Sequence, residues 1–164
     1  MDSWLIDTRR LAERGERVDR LLTTRDLPRL RKECSTSFAP VEVSVTGVRT
    51  PLGKAGVRVS MRAQVKVPCQ RCLKPLPLEL ELACAFEWVA SESEQALRDA
   101  DDDWDAVIAA EQVDLLPLLE DELLLALPFA PMHPACRSGE VSGADEEAGE
   151  KVSPFAVLAG LKRI

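Results

Sequence analysis

The sequence has no tyrosine, a single histidine (His133), four phenylalanines and three tryptophans among 164 residues. One imidazole and no phenol make a poor inventory for general acid–base catalysis. So few rings also mean that base stacking would not be the main mode of any nucleic-acid contact. No phosphate-cradling loop is present, because GVRTPLGKAG lacks the GK[ST] ending. No G-x-S-x-G nucleophile elbow occurs either. A long apolar run is also missing. The leucine-rich stretch 115–127 is interrupted by Pro117 and by Glu120, Asp121 and Glu122, too short and too charged to cross a bilayer. The start of the sequence carries Asp2 and Asp7 and no apolar h-region, so no secretory signal is expected. Five cysteines, an odd number, then point to reduced thiols in a cytoplasmic protein. Without a catalytic motif or an apolar span, neither a small-molecule substrate nor a membrane is expected as partner.

What is present is a soluble composition, 30% charged and 46% hydrophobic, long enough to bury a core without disulfides. The net charge of −7 is unevenly spread. Residues 1–90 hold 16 Lys and Arg against 11 Asp and Glu, residues 91–150 hold 2 against 17, and residues 151–164 hold 3 against none. A basic first half keeps a nucleic-acid partner open despite the low isoelectric point, although acidic loops also serve solubility alone.

Along the chain, Leu11, Val18, Leu21 and Leu22 predict an amphipathic helix within 8–32 that ends before Pro28. Val41, Val43 and Val45 predict a strand, and Cys34–Phe38 a second. TPLGKAG at 50–56 is a turn. Apolar residues then alternate from Val57 to Val67 and from Leu76 to Trp88, the pattern of an antiparallel hairpin. Residues 91–113 read as a mobile acidic connection with a short helical piece. Asp114 caps a helix over 115–127, which Pro117 fits in its first turn. Glu120, Asp121 and Glu122 read as its solvated face. Residues 128–137 form a Pro-rich loop. The expected fold is α+β: an antiparallel, partly barrel-like β-sheet over 34–88 with flanking helices. A single domain spans 1–137, followed over 138–164 by a flexible acidic linker and a short C-terminal helix. In that helix Phe155, Leu158 and Leu161 share a side and suit docking onto a partner or onto this domain.

The hairpin tip holds Cys69 and Cys72 as a Cys-x-x-Cys pair. A redox role needs a helix N-terminus to lower the first thiol's pKa, whereas here Pro75, Pro77 and a strand follow. Two thiolates on one tight turn suit one structural zinc ion, and His133 and Cys136 form a second pair of soft ligands at the same spacing. The alternative is that all four are packing or surface residues. Cys34 and Cys84 read as small core residues on strands. Separately, Arg58, Arg62 and Lys66 fall on one face of a strand, with Arg71 and Lys74 extending the row at the tip, a spacing that can track a phosphate backbone. Glu79, Glu81 and Glu87 on the partner strand could instead pair with these cations as an ordinary solvated face.

Three segments together carry a family resemblance: CQRCLKP with its following alternating strand, DLLPLLEDELLLALPFAPMH, and the terminal PFAVLAGLKR. The sequence resembles the YceD family of large ribosomal RNA subunit accumulation proteins from the ECSTSF segment to its end. The resemblance implies a non-enzymatic ribosome-biogenesis factor supporting synthesis, processing or stability of large-subunit (23S) ribosomal RNA. Its partner would be that RNA's precursor or a ribosome-assembly protein. The alternative is an adaptor that docks a ribosomal protein or RNA-processing enzyme through the acidic segment and the C-terminal helix. Many relatives carry a second cysteine pair after the ALP motif, and this chain has His133 and Cys136 there instead.

Overall fold

A computed structural model describes residues 4–98, 104–108 and 112–136. In chain order the elements are β1 (Leu5–Asp7), α1 (Thr8–Arg14), β2 (Arg17–Leu22), α2 (Pro28–Glu33), β3 (Val41–Arg49), β4 (Ala55–Pro68), β5 (Pro75–Val89), α3 (Glu92–Arg98), β6 (Asp105–Ile108), β7 (Gln112–Asp114) and α4 (Leu115–Leu125). The main sheet has the order β2-β3-β4-β5-β6, and a separate two-stranded sheet joins β1 to β7. All pairs are antiparallel except β5 with β6.

The long hairpin is built by alternation. Val57, Val59, Met61, Ala63, Val65 and Val67 of β4 are all buried on one face. Opposite them stand Phe86, Cys84, Leu82, Leu80, Leu78 and Leu76 of β5. Leu11 of α1, Leu30 of α2 and Leu115, Leu119 and Leu123 of α4 close the core over this face. Helix α1 crosses so close to β3 that a Cβ on Gly47 would lie 2.1 Å from the Leu11 carbonyl oxygen, so only glycine fits beneath it.

The mixed α+β class holds, with corrections to its parts. The sheet is not partly barrel-like: β2 and β6 are its two edges and do not pair with each other. The predicted helix within 8–32 is instead a helix, a strand and a second helix. Gly15, at φ 59°, ends α1 in the left-handed conformation that glycine adopts freely. The chain then returns as β2, pairing from Arg17↔Thr46 to Leu22↔Val41. Val18 and Leu22 face the core at an interval of four, which fits one side of a strand as well as one side of a helix. Pro28 opens α2 rather than following a helix, and Cys34 caps its end instead of lying on a strand. The acidic connection contains α3, β6 and β7, and Trp104 at its centre is buried against Gly56.

Helix α4 begins as its sequence requires. The Asp114 carboxylate accepts the Leu116 N–H at 3.1 Å and also the Trp4 N–H at 2.9 Å, which fastens the start of the chain to this helix. The expected solvated face of α4 is wrong at Glu120, which is 4% exposed. Helix α2 has no side-chain cap of its own. Glu120 supplies one from a distance, accepting the N–H groups of Arg29 and Leu30 at 2.6 and 3.1 Å and the Arg29 Nε–H at 2.7 Å. Asp121 also pairs with Arg29. Among the described residues no helix is long and apolar enough to cross a membrane.

Removing the Glu120 carboxylate strands buried amides on a second helix. Glu120→Ala is expected to destabilise the fold by about 2–4 kcal/mol in urea denaturation, whereas Asp121→Ala, on the exposed branch of the same pair, should cost about 1 kcal/mol or less. Equal losses for the two variants would refute the capping role.

Candidate metal centre

The β4–β5 strands end in a six-residue tip, Cys69 to Lys74. The Cys69 N–H donates to the Lys74 carbonyl at 3.0 Å, and the Leu73 N–H donates to the Cys69 carbonyl at 2.9 Å. Leu73 closes the turn at φ 59°, a left-handed conformation that L residues with a Cβ adopt at an energetic penalty. The loop after α4 lies against this tip. The Gln70 N–H donates to the Pro131 carbonyl at 2.8 Å, and the Arg71 guanidinium donates to the Cys136 carbonyl at 2.9 Å.

These contacts gather Cys69, Cys72, His133 and Cys136, whose ligand atoms all lie within 4.8 Å of one another. Cys69 Sγ is 3.7 Å from Cys136 Sγ, and Cys72 Sγ is 3.4 Å from His133 Nδ1. A tetrahedral zinc ion with ordinary Zn–S and Zn–N bonds would separate its ligands by about 3.7 Å for sulfur pairs and about 3.5 Å for sulfur and nitrogen. The other ring nitrogen of His133, Nε2, lies 3.2 Å from the Pro75 carbonyl. Donation of the Nε2–H to that oxygen leaves the Nδ1 lone pair facing the sulfurs, the outer-shell arrangement that orients a ligating imidazole.

The thiols are electrically prepared for a cation. Burial opposes ionisation of Cys69, but the N–H groups of Cys72, Arg71 and His133, together with the His133 ring, prevail and hold its thiol at about 5. Burial and the adjacent Cys69 and Cys72 push Cys136 the other way. A thiolate beside a thiol that resists ionisation is a site that a soft divalent ion relieves. Three thiolates and one imidazole leave no open position for substrate, so the chemistry such an ion supplies is a cross-link between two loops. Cys84 and Cys34 stand apart from this cluster, both half-buried, and burial pushes Cys84 up to about 12.

The cations singled out from the sequence divide into two groups. On the sheet face Arg62 stands directly opposite Glu81 and donates to it from Nε and Nη2 at 3.0 and 2.7 Å. Arg58 lies 4.9 Å over the Trp104 ring. Glu87 pairs with Arg98 instead of with the β4 row. Asp19 and Glu42 on the neighbouring strands share the same face as Arg58 and Arg62. At the tip and on the strand end just below it, by contrast, Arg71, Lys74 and Lys66 are exposed and form no ion pair among the described residues. Neither the Trp104 contact nor the Arg71 clasp on the second loop has a local signature in the sequence. Phe155, Leu158 and Leu161 lie outside the described residues.

The family model described as "Large ribosomal RNA subunit accumulation protein YceD" matches residues 57–162. The chain belongs to the YceD family. A Haemophilus influenzae member, a large ribosomal RNA subunit accumulation protein YceD, is 30% identical over 146 residues, covering 84% of this chain and 82% of that protein. No solved structure matches. The YceD match begins at Val57, within β4, and takes in both ligand pairs, so nearly all of the hairpin and the loop fastened to its tip lie within the matched region.

Protein purified without added metal is expected to carry about one zinc per chain, and a strong chelator should lower its melting temperature, because metal-binding energy at such a site is folding energy. Cys72→Ser should lose the metal and melt as the chelated parent does. A metal-free parent with unchanged melting would remove zinc from the account. At the adjacent turn, Leu73→Gly should raise stability and Leu73→Val lower it, the two differing by about 1–2 kcal/mol, since the left-handed position suits glycine and opposes β-branching.

Proposed function

We propose that this chain is a non-enzymatic, cytoplasmic ribosome-biogenesis factor that supports synthesis, processing or stability of large-subunit ribosomal RNA, and that it holds the precursor RNA at the hairpin tip. Membership of a family named for accumulation of that RNA supports the biological role. One observation carries the mode of contact. Lys66, Arg71 and Lys74 are exposed on a tip pinned from two sides, with no carboxylate partner among the described residues. Cations without a carboxylate partner meet phosphates with no opposing charge to displace, and they release counterions from the RNA; Arg71 does so while sharing its guanidinium with the Cys136 carbonyl. Arg58 and Arg62 contribute less, because an incoming phosphate must compete with the Trp104 ring and with Glu81. Structural zinc held by Cys69, Cys72, His133 and Cys136 would fix the tip to the loop after α4 and so preserve the cation geometry.

Binding to a single-stranded fragment of precursor RNA should weaken steeply with salt, at a log–log slope of about −0.7 per neutralised phosphate, or about −2 for three tip cations. The triple variant Lys66→Gln, Arg71→Gln, Lys74→Gln should flatten that slope and fail to restore large-subunit RNA in cells lacking the parent protein. The double variant Arg58→Gln, Arg62→Gln should change both much less. If the tip variant folds, keeps its metal and binds RNA as the parent does, direct contact at the tip is wrong. The adaptor reading would then stand in its place.

A further inference from the structure

Strand β5 is covered unequally on its outer side. Its pairing with β4 runs without a bulge from Gly56↔Glu87 to Pro68↔Pro75, but β6 covers only Phe86–Val89. In an antiparallel ladder alternate residues turn both backbone groups toward the partner or away from it. The Lys74 carbonyl accepts from Cys69, so the even-numbered residues of β5 serve β4. The odd-numbered residues turn outward, and the Pro75 carbonyl does so, meeting His133. Pro77 therefore offers no outward donor. Glu79, Glu81 and Ala83 each direct an N–H and a C=O into open space, with no partner among the described residues.

We propose that this open edge, from Leu78 to Cys84, docks an extended Lys- and Arg-rich segment of a protein partner, which joins the sheet as an added strand.

The side chains around the edge select the occupant. On the polar face Glu79 and Glu81 are exposed; Glu79 meets only the neutral Gln64 amide, and Glu81, paired with Arg62, can share its second oxygen with an incoming cation. At the far end Asp105 and Glu122 line one cavity of about 540 Å³ beside Ala83 and Cys84, with Arg17 and Arg58 on its opposite side along the sheet. Burial, with Asp105 and Asp121 beside it, pushes the Glu122 carboxyl upward, and among the described residues Asp105 and Glu122 form no ion pair. On the core side Leu78, Leu82 and Cys84 are only half-buried and leave apolar surface for alternate residues of an incoming strand. A segment alternating basic and apolar residues matches both faces, with main-chain bonds giving affinity and the acidic rim giving sign. A second copy of this chain fits poorly, since antiparallel pairing of two β5 edges sets Glu79 and Glu81 against their own kind. The edge is remote from Arg71 and Lys74 in its chemistry, and the proposal does not rest on RNA contact at the tip.

The test uses the full-length, metal-loaded protein and a fluorescently labelled short peptide of alternating lysine and valine. Saturable binding is expected, with slowed amide exchange at Glu79, Glu81 and Ala83, and no binding of the matching glutamate–valine peptide. Ala83→Pro removes an outward N–H without touching a β4 bond and should weaken binding about tenfold. Should that variant fail to fold, the double variant Glu79→Lys, Glu81→Lys decides: it should reverse the preference, taking the glutamate–valine peptide over the lysine–valine one. The proposal is overturned if the parent binds neither peptide, if both variants bind as the parent does, or if exchange slows elsewhere. It is also overturned if the free protein sediments as a dimer that Ala83→Pro dissociates, or if deleting residues 152–164 is needed before any peptide binds. The Lys66→Gln, Arg71→Gln, Lys74→Gln variant should keep peptide binding, which separates this edge from the tip.

Discussion

Because β4 and β5 pair in continuous register from Gly56↔Glu87 to Pro68↔Pro75, one ladder decides three surfaces at once. It sends Val57 through Val67 and Leu76 through Phe86 to the same side, where the helices close the core. It sets Arg62 opposite Glu81, which turns the middle of the polar face into paired charge. It delivers Cys69 and Cys72 to a tip beyond the last pair. A slip of one residue would invert every side chain on β5 and expose its leucines, so the core enforces the register that the tip depends on.

The tip in turn depends on a segment made much later in the chain. The loop after α4 contributes His133 and Cys136, and it is held in place by backbone bonds as well as by the sulfurs. Helix α4 is therefore a spacer. Asp114 fixes its start, Glu120 locks it to α2, and its length sets where Pro131 and His133 meet Gln70 and Cys69. The Cys/His cluster and the buried Glu120 are two fastenings on one arm.

Much of this was legible in the sequence for a physical reason. The β4–β5 alternation is long and strict, and a period of two over so many residues has one structural meaning. Asp114 followed by an apolar repeat signals a capped helix start on local chemistry alone, and the equal spacing of the two ligand pairs singles out the four side chains that the structure gathers. The parts that misled depend on contacts from afar. Nothing near Glu120 says that its carboxylate will meet amides at Arg29 and Leu30. Val18 and Leu22 fit a helix until Gly15 is read as a stop and β3 is seen as a waiting partner. An acidic composition hid β6 and Trp104, because burial there comes from a ring packing against Gly56 rather than from any periodic pattern. The open outer edge of β5 is a property of the sheet's order and has no local signature at all.

The bond from Trp4 to Asp114 has a bearing on how the molecule comes into being. Translation delivers β1 before any other strand, yet its partner β7 and the carboxylate that receives Trp4 emerge only after the whole main sheet has been made. The central hairpin can assemble while its neighbours are still being added, since β2, β3, β4 and β5 follow one another in both sequence and space. The opening segment has nothing to pair with during that time. Among the described residues, those that leave the ribosome first are therefore among the last to find their places, and their arrival closes the molecule.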